Sequence, residues 1–227
     1  MKILEKVDLR TDVLNHLQVN MQMMQDKRAL LLFVRNPEKG KVKTRLAQDL
    51  GEDKALEIYL ELLEITRKAA IAAQADRLLF YTNFIPKNDA WSEDLFQKRL
   101  QADGDLGARM EAAFEEALYS RNKAVIIGSD CPELTAEIIE EAFVLLETND
   151  AVLGPANDGG YYLLGLKKVI PEVFRDMIWS TESVLSETLA RLDAAGKNYA
   201  LLPELSDVDH AVDWERYLIK KATYYIN

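Results

Sequence analysis

Cysteine, histidine and positive charge are what this sequence has least of. Its 227 residues include one cysteine, Cys131. A single thiol closes no disulfide within the chain and builds no cysteine-rich zinc site. The two histidines, His16 and His210, add little to that, so zinc ligation is poorly supported. Lys and Arg number 28 against 38 Asp and Glu, a net charge of −10. This argues against a broadly basic nucleic-acid-binding surface, although one local basic loop remains. No apolar run approaches the ~20 residues of a membrane-spanning helix. The N-terminal residues lack the apolar core of a signal peptide. The expectation is a cytoplasmic protein with no nucleic-acid partner and no membrane span. Internal repeats, low-complexity tracts and linkers are also missing.

What is present begins with a 48% share of hydrophobic residues, enough for a sizeable core. Residues 123–135 show how that core is used. An apolar run, 124–127, is bounded by Gly128; Asp130 stands where the run stops, Pro132 follows, and a helical pattern starts at Thr135, its expected cap. This is the pattern of a buried parallel strand with one carboxylate at its C-terminal end. In open α/β sheets ligands bind at that edge. Asp130 is therefore a candidate to hold a divalent metal and, through it, the phosphates of a nucleotide.

The unbroken apolar run 29–34 reads as a first strand buried on both faces. The loop after it, residues 35–45, is broken by Pro37 and Gly40 and carries Arg35, Lys39, Lys41, Lys43 and Arg45. Cations and backbone N–H groups directly after a first strand suit a phosphate or pyrophosphate. If the loop is extended, Lys43 and Arg45 share a face and grip one anion. The loop matches neither the Walker pattern nor Gly-x-Gly-x-x-Gly.

Further along, a helix is expected over residues 53–73 with Leu56, Tyr59, Leu60, Leu63 and Ile65 on or near its inner side. A strand follows at 78–81, then an irregular stretch to Leu100 and a helix with Leu106, Met110, Ala113, Phe114, Ala117 and Leu118 on one face. Strands at 151–153 and 199–202 and a helix from Val184 complete the alternation. Hairpin signals occur only near 150–166. The expected fold is α/β, a mixed, mostly parallel sheet with helices on both faces, forming one domain over 29–227. Residues 1–28 are expected to form an amphipathic helical arm that packs on the domain or on a second subunit.

Asp130 needs partners to hold a metal, and Asp207, Asp209 and Asp213 stand near a later junction, where they serve equally well as helix caps. Asp158, within Asn-Asp-Gly-Gly, is by default a turn residue, while Gly159 and Gly160 permit close backbone approach. Cys131 beside Asp130 lacks an evident base and is not read as a nucleophile. Tyr161, Tyr162 and Trp179 fit either a pocket wall or the core.

Taken in order, 33–46, Gly-Asp-Leu-Gly-Ala-Arg-Met (104–110), Gly-Ser-Asp-Cys-Pro (128–132), Gly-Pro-Ala-Asn-Asp-Gly-Gly-Tyr-Tyr (154–162), Trp-Ser-Thr (179–181) and Asp-Val-Asp (207–209) resemble the motifs of the DUF2064 family. That family comprises glycosyltransferase-like proteins of the nucleotide-diphospho-sugar transferase superfamily. The resemblance spans roughly residues 29–215 and implies a GT-A fold. It implies a nucleotide-binding loop with Lys39, Lys43 and Arg45, with Asp105, Arg109, Gly159 and Gly160 as further nucleotide-binding candidates. It implies Mg2+ or Mn2+ on Asp130, Asp209 and Asp207, and Asp130 and Asp158 as catalytic candidates. The sequence departs from the superfamily in having Ser-Asp-Cys where Asp-x-Asp is usual, and in lacking the glycine-rich first loop of pyrophosphorylases. The implied activity is metal-assisted transfer of a sugar from a nucleotide-diphospho-sugar to a small-molecule acceptor. The alternatives are nucleotidyl transfer from a nucleoside triphosphate to a small phosphorylated substrate, or nucleotide binding without catalysis. The arm leaves room for a homodimer.

Overall fold

In the computed structural model, which describes residues 27–224, the apolar run that opens the described chain is strand β1, Arg28–Val34. The elements after it are α1 (Thr44–Leu50), α2 (Glu52–Ala72), β2 (Asp76–Tyr81), β3 (Gln97–Leu100), α3 (Leu106–Leu118), β4 (Lys123–Ile127), α4 (Ala136–Leu145), β5 (Ala151–Pro155), β6 (Tyr161–Leu166), a 3-10 turn at Pro171–Val173, α5 (Val184–Ala194), β7 (Tyr199–Leu201) and α6 (Ala211–Tyr224). The helical arm expected over 1–28, and the dimer contact through it, lie outside the described residues apart from Lys27 and Arg28.

The seven strands form one sheet in the order β3-β2-β1-β4-β6-β5-β7. Only β6 runs against its neighbours. The hairpin expected near 150–166 is therefore the β5–β6 pair, and every other strand points its carboxyl end to the same edge. From β1 the chain steps outward to β2 and β3, then returns to the other side of β1 as β4. That reversal is a switch point, where neighbouring loops diverge and leave a crevice.

Successive side chains on a strand face opposite sides, which divides the core in two. On one face Leu30, Leu32, Leu79, Tyr81, Val125 and Ile127 pack with Tyr59 and Leu63 of α2 and Ile139 and Phe143 of α4. On the other, Leu31, Leu78, Phe80 and Ile126 pack with Met110 and Phe114 of α3 and Leu192 of α5. Helices thus cover both faces of a mixed, mostly parallel sheet, as expected. A third cluster joins Leu46 of α1, Ala55, Ile58 and Leu62 of α2, and Val208 and Trp214. It clamps the loop after β1 against the segment entering α6.

Four local expectations need correction. Leu60 faces outward and is 49% exposed; the inner side of α2 carries Ala55, Ile58, Tyr59, Leu62, Leu63, Thr66 and Ala70 instead. The stretch up to Leu100 contains β3, whose sequence Gln-Lys-Arg-Leu has no buried residue. Charged edge strands resist further pairing and give no apolar signal. Thr135 stands at the α4 cap position but makes no capping bond. The chain near residues 43–45 is not extended: Lys43 has φ 46° and ψ 48° and caps α1, to which Arg45 belongs.

Gly107, in the first turn of α3, shows how tightly the helices seat. A Cβ there would lie 2.2 Å from the Phe174 carbonyl oxygen and 2.9 Å from the Trp179 indole. Gly107→Ala is expected to cost about 1–3 kcal/mol through overpacking, read as a lower urea midpoint with an unchanged slope.

Candidate functional site

Because β1, β3, β4, β5 and β7 end at one edge, the loops after them converge there. They carry Lys43 and Arg45 after β1, Asp105 and Arg109 after β3, Asp130 after β4, Asp158 after β5, and Asp207 and Asp209 after β7.

The centre is Lys43. Its side chain is 5% exposed, and its Nζ lies 2.8 Å from Asp130 Oδ1 and 3.5 Å from Asp209 Oδ1. Nζ also donates to the Val208 carbonyl oxygen at 2.6 Å. Arg45 Nη1 donates to Asp209 Oδ2 at 2.9 Å. The backbone completes the ring, for Val208 N donates to the Asp130 carbonyl at 2.9 Å. Lys43 and Arg45 therefore meet the same carboxylate although the loop is not extended. The left-handed turn at Lys43 and the start of α1 bring them to it.

Asp207 is close enough to feel the charges of this group. Its Oδ1 is buried and has no hydrogen-bond partner among the described residues. Burial, then the nearby charges of Asp130 and Asp158, push its carboxyl up from 3.8 to about 7, against the opposing pull of Lys43. Four carboxylates thus influence one another at this edge, with Lys43 between two of them.

The other candidates divide. Asp158 Oδ1 accepts from Gly160 N at 2.9 Å, the turn expected of Asn-Asp-Gly-Gly. Gly159 has φ +87°, and a Cβ there would lie 2.1 Å from the Glu182 carbonyl oxygen. Its missing side chain is thus required by the chain's own backbone. Asp105 caps α3 by accepting from Ala108 N, and Arg109 Nε donates to the Gly104 carbonyl. Lys39 pairs with Asp53 at 2.6 Å. These contacts bring none of Lys39, Asp105 and Arg109 to the Lys43 cluster. Asp213 accepts from Asp209 N and His210 N, so it caps α6 rather than joining the site. Asp213→Ala is expected to cost about 1 kcal/mol of stability and to loosen Asp209, which thermal unfolding with and without Mn2+ would register.

Cys131 is buried, and burial followed by the Asp207 charge pushes its thiol well above the ordinary value. It stays protonated and is no nucleophile. Tyr162 lies in the core and donates to the Pro203 carbonyl. Tyr161 and Trp179 pack against the α3 side of the sheet, and Trp179 Nε1 is buried with no hydrogen-bond partner among the described residues.

Two residues gained roles that their spacing did not suggest. Tyr59 OH accepts from Arg35 N at 2.9 Å and donates to the Arg35 carbonyl at 3.1 Å. Asn36, buried, accepts from Asn83 N and donates to the Phe84 carbonyl. Together they fix the root of the basic loop. A buried tyrosine on a helix's core face reads only as packing, but an asparagine two residues past the end of a strand is a detectable signal.

Asp130, Asp209 and the unpartnered oxygen of Asp207 offer the hard oxygen donors that Mg2+ or Mn2+ takes. As arranged, no group of three or more His, Cys, Asp or Glu among the described residues could hold a metal ion; the Lys43 ammonium stands between two of the donors. A cavity of about 300 Å³ lined by Lys27, Arg28, Gln74, Ala75 and Asp76 lies at the opposite end of β1 and β2 and contains none of these groups. No helix among the described residues is long and apolar enough to cross a membrane.

Comparison with known proteins agrees with this architecture. A crystal structure from Desulfovibrio desulfuricans G20, assigned to the nucleotide-diphospho-sugar transferases, is 32% identical, with TM-score 0.73, over 82% of this chain and 83% of that one. Two more distant structures share the fold. One is CMP:2-keto-3-deoxy-manno-octonic acid synthetase complexed with CTP, at 11% identity and TM-score 0.55 over 88% of this chain and 100% of that one. The other is Rv0371c from Mycobacterium tuberculosis H37Rv complexed with manganese, at 12% identity and TM-score 0.51 over 84% and 97%. No curated protein sequence matches significantly. Residues 65–181 match the family described as "Uncharacterized protein conserved in bacteria (DUF2064)". With that match and the extent of its likeness to the Desulfovibrio protein, the chain belongs to the DUF2064 family, with the fold of the nucleotide-diphospho-sugar transferases.

Proposed function

We propose that the chain is a transferase that binds the diphosphate of a nucleotide-sugar at the Lys43–Asp130–Asp209 cluster and passes the sugar to a small-molecule acceptor. One observation carries this reading: two cations from the loop after β1 meet two carboxylates, from the loops after β4 and β7, beside the switch point of the sheet. Departure of a nucleoside diphosphate concentrates negative charge on phosphate oxygens, and fixed cations stabilise it as it forms.

Lys43 and Arg45 bind and orient the diphosphate. Asp130, Asp209 and Asp207 are the carboxylates the resemblance gives to Mg2+ or Mn2+, which when bound would supply further neutralisation of the leaving diphosphate; as they stand among the described residues they form no metal-holding group, so the neutralisation rests on Lys43 and Arg45. Tyr59 and Asn36 keep the cationic loop in register. Asp158, exposed after β5, is the candidate to receive the acceptor's proton. The likeness to the Desulfovibrio protein supports the donor class. The activity belongs to the single domain over 29–227.

Incubation with a panel of nucleotide-sugars and Mn2+ is expected to release a nucleoside diphosphate once the acceptor is supplied. Water serves as a slow acceptor if none is known. Pyrophosphate release from nucleoside triphosphates, with no turnover of nucleotide-sugars, would replace this reading with nucleotidyl transfer.

A further inference from the structure

We infer that the loop over 176–183 is the acceptor wall of the crevice, and that it takes a neutral, partly apolar sugar or alcohol rather than a phosphorylated or carboxylated one. It rests on the transferase reading above and supplies its acceptor class.

The loop carries Trp-Ser-Thr (179–181) and leads from the 3-10 turn into α5. It is anchored at both ends. Arg191 of α5 donates to the carbonyls of Glu172, Arg175 and Asp176. The Phe174 carbonyl and the Trp179 indole close on Gly107 of α3. At the far end the Glu182 carbonyl closes on Gly159, and Leu185 N donates to the Gly159 carbonyl at 2.9 Å. Two non-glycine residues of the loop are left-handed, Asp176 at φ 54° and Ser180 at φ 63°. Backbone strain that the surroundings hold in place gathers at ligand-binding segments.

Gly159 belongs to the β5–β6 turn, and that turn also reaches the Lys43 side. Asn157 N donates to the Leu205 carbonyl at 3.1 Å, and its Nδ2 donates to Ser206 Oγ at 3.0 Å. Both bonds tie the turn to the segment that leads into Asp207. Behind Lys43, α1 packs with α2, which covers one face of the sheet, whereas Trp179 packs on the α3 face. The two loops therefore flank the carboxyl edge from opposite sides.

Their chemistry differs. The loop after β1 brings Lys43 and Arg45. The opposite wall brings Asp158, Asp176 and Glu182, all exposed. Its arginines are committed, Arg175 to Glu111 at 2.7 Å and Arg191 to Glu187 and the three carbonyls. Arg109, two residues beyond Gly107, donates to the Gly104 carbonyl. An anionic acceptor would therefore approach carboxylates of its own sign, which opposes its entry. Apolar surface is offered instead: Ile178 is 73% exposed, and Leu106, beside Gly107, is 41% exposed. A neutral sugar or alcohol with an apolar face suits that wall, with Asp158 beside it to take the proton of the reacting hydroxyl.

The test is a fluorescence titration with butyl glucoside, and with glucose 6-phosphate as the anionic counterpart. Trp179 is the partly exposed indole, Trp91 and Trp214 being buried. The unmodified protein is expected to bind butyl glucoside saturably, at least tenfold more tightly than glucose 6-phosphate, and Trp179→Phe is expected to lose the signal. Ile178→Asp should weaken butyl glucoside at least tenfold, and Ile178→Lys should strengthen glucose 6-phosphate at least tenfold. The exposure of Ile178 makes both substitutions mild for the fold, which circular dichroism and a cooperative melt establish. No saturable binding of butyl glucoside, glucose 6-phosphate bound as tightly, a signal that survives Trp179→Phe, or affinities unmoved by both Ile178 substitutions each overturns the inference. The transferase reading fails separately. Turnover of nucleotide-sugars together with any of those results removes the acceptor wall and leaves the activity. Butyl glucoside binding that follows Ile178, in a protein that turns over no nucleotide-sugar, does the reverse.

Discussion

Asp130→Asn is expected to reduce kcat/KM for nucleotide-sugar turnover by about a thousandfold, the scale of losing one charged stabiliser at a reacting phosphate. The substitution keeps the size of the side chain and leaves the backbone bond from Val208 N to the Asp130 carbonyl intact. It removes the charge that faces Lys43 at 2.8 Å. Stability should change little, because the side chain is 47% exposed and Asp209 still faces the lysine. Steady-state kinetics alongside thermal unfolding separates the two effects. A loss below tenfold would mean that Asp130 merely partners Lys43.

Asp207→Asn is expected to act in the opposite sense on stability, raising it at neutral pH. The Asp207 carboxyl is pushed up from 3.8 to about 7 by burial and by neighbouring carboxylates. In the unfolded chain it releases its proton near pH ~4. Below that pH both states are protonated and the group contributes no penalty. As the pH rises, the unfolded chain loses the proton first, so the native state loses stability until the pH passes about 7, above which the full cost remains. At about 1.4 kcal/mol per tenfold change, the ceiling is roughly 4 kcal/mol. In chelator, Asp207→Asn should therefore add roughly 2–4 kcal/mol to unfolding at pH 8 and almost nothing at pH 4. A gain of the same size at both values would show that burial, not charge, governs the residue. The variant should also bind Mn2+ more weakly, a stability–function exchange common at functional sites.

The sequence made the parallel edge legible because β1 and β4 are apolar runs closed by polar loops, and burial on both faces leaves that mark. Asp130 was visible for the same reason: it stands where β4 stops. The pairing of Lys43 with Asp209 was less accessible. It depends on Lys43 adopting a left-handed backbone and on α1 starting at Thr44, and neither has a local signal, since lysine is not a residue that prefers positive φ. Asp209 and Asp213 look interchangeable by type. Only the capping bonds at the start of α6 assign Asp213 to the helix and leave Asp209 for Lys43 and Arg45. Gly159 misled in another way: it suggests room for a ligand, yet that room is filled by the chain itself, by Glu182. Strand β3 escaped notice because an edge strand rich in charge has no apolar period to detect.

Calorimetric titration with nucleoside diphosphates in the presence of Mn2+ addresses the phosphate cluster most directly. The unmodified protein is expected to bind at least one of them, with Arg45→Ala binding at least tenfold more weakly and Asp130→Ala losing the dependence on Mn2+. Binding of equal affinity by the unmodified protein, Arg45→Ala and Asp130→Ala would contradict a diphosphate site at the carboxyl ends of β1, β4 and β7.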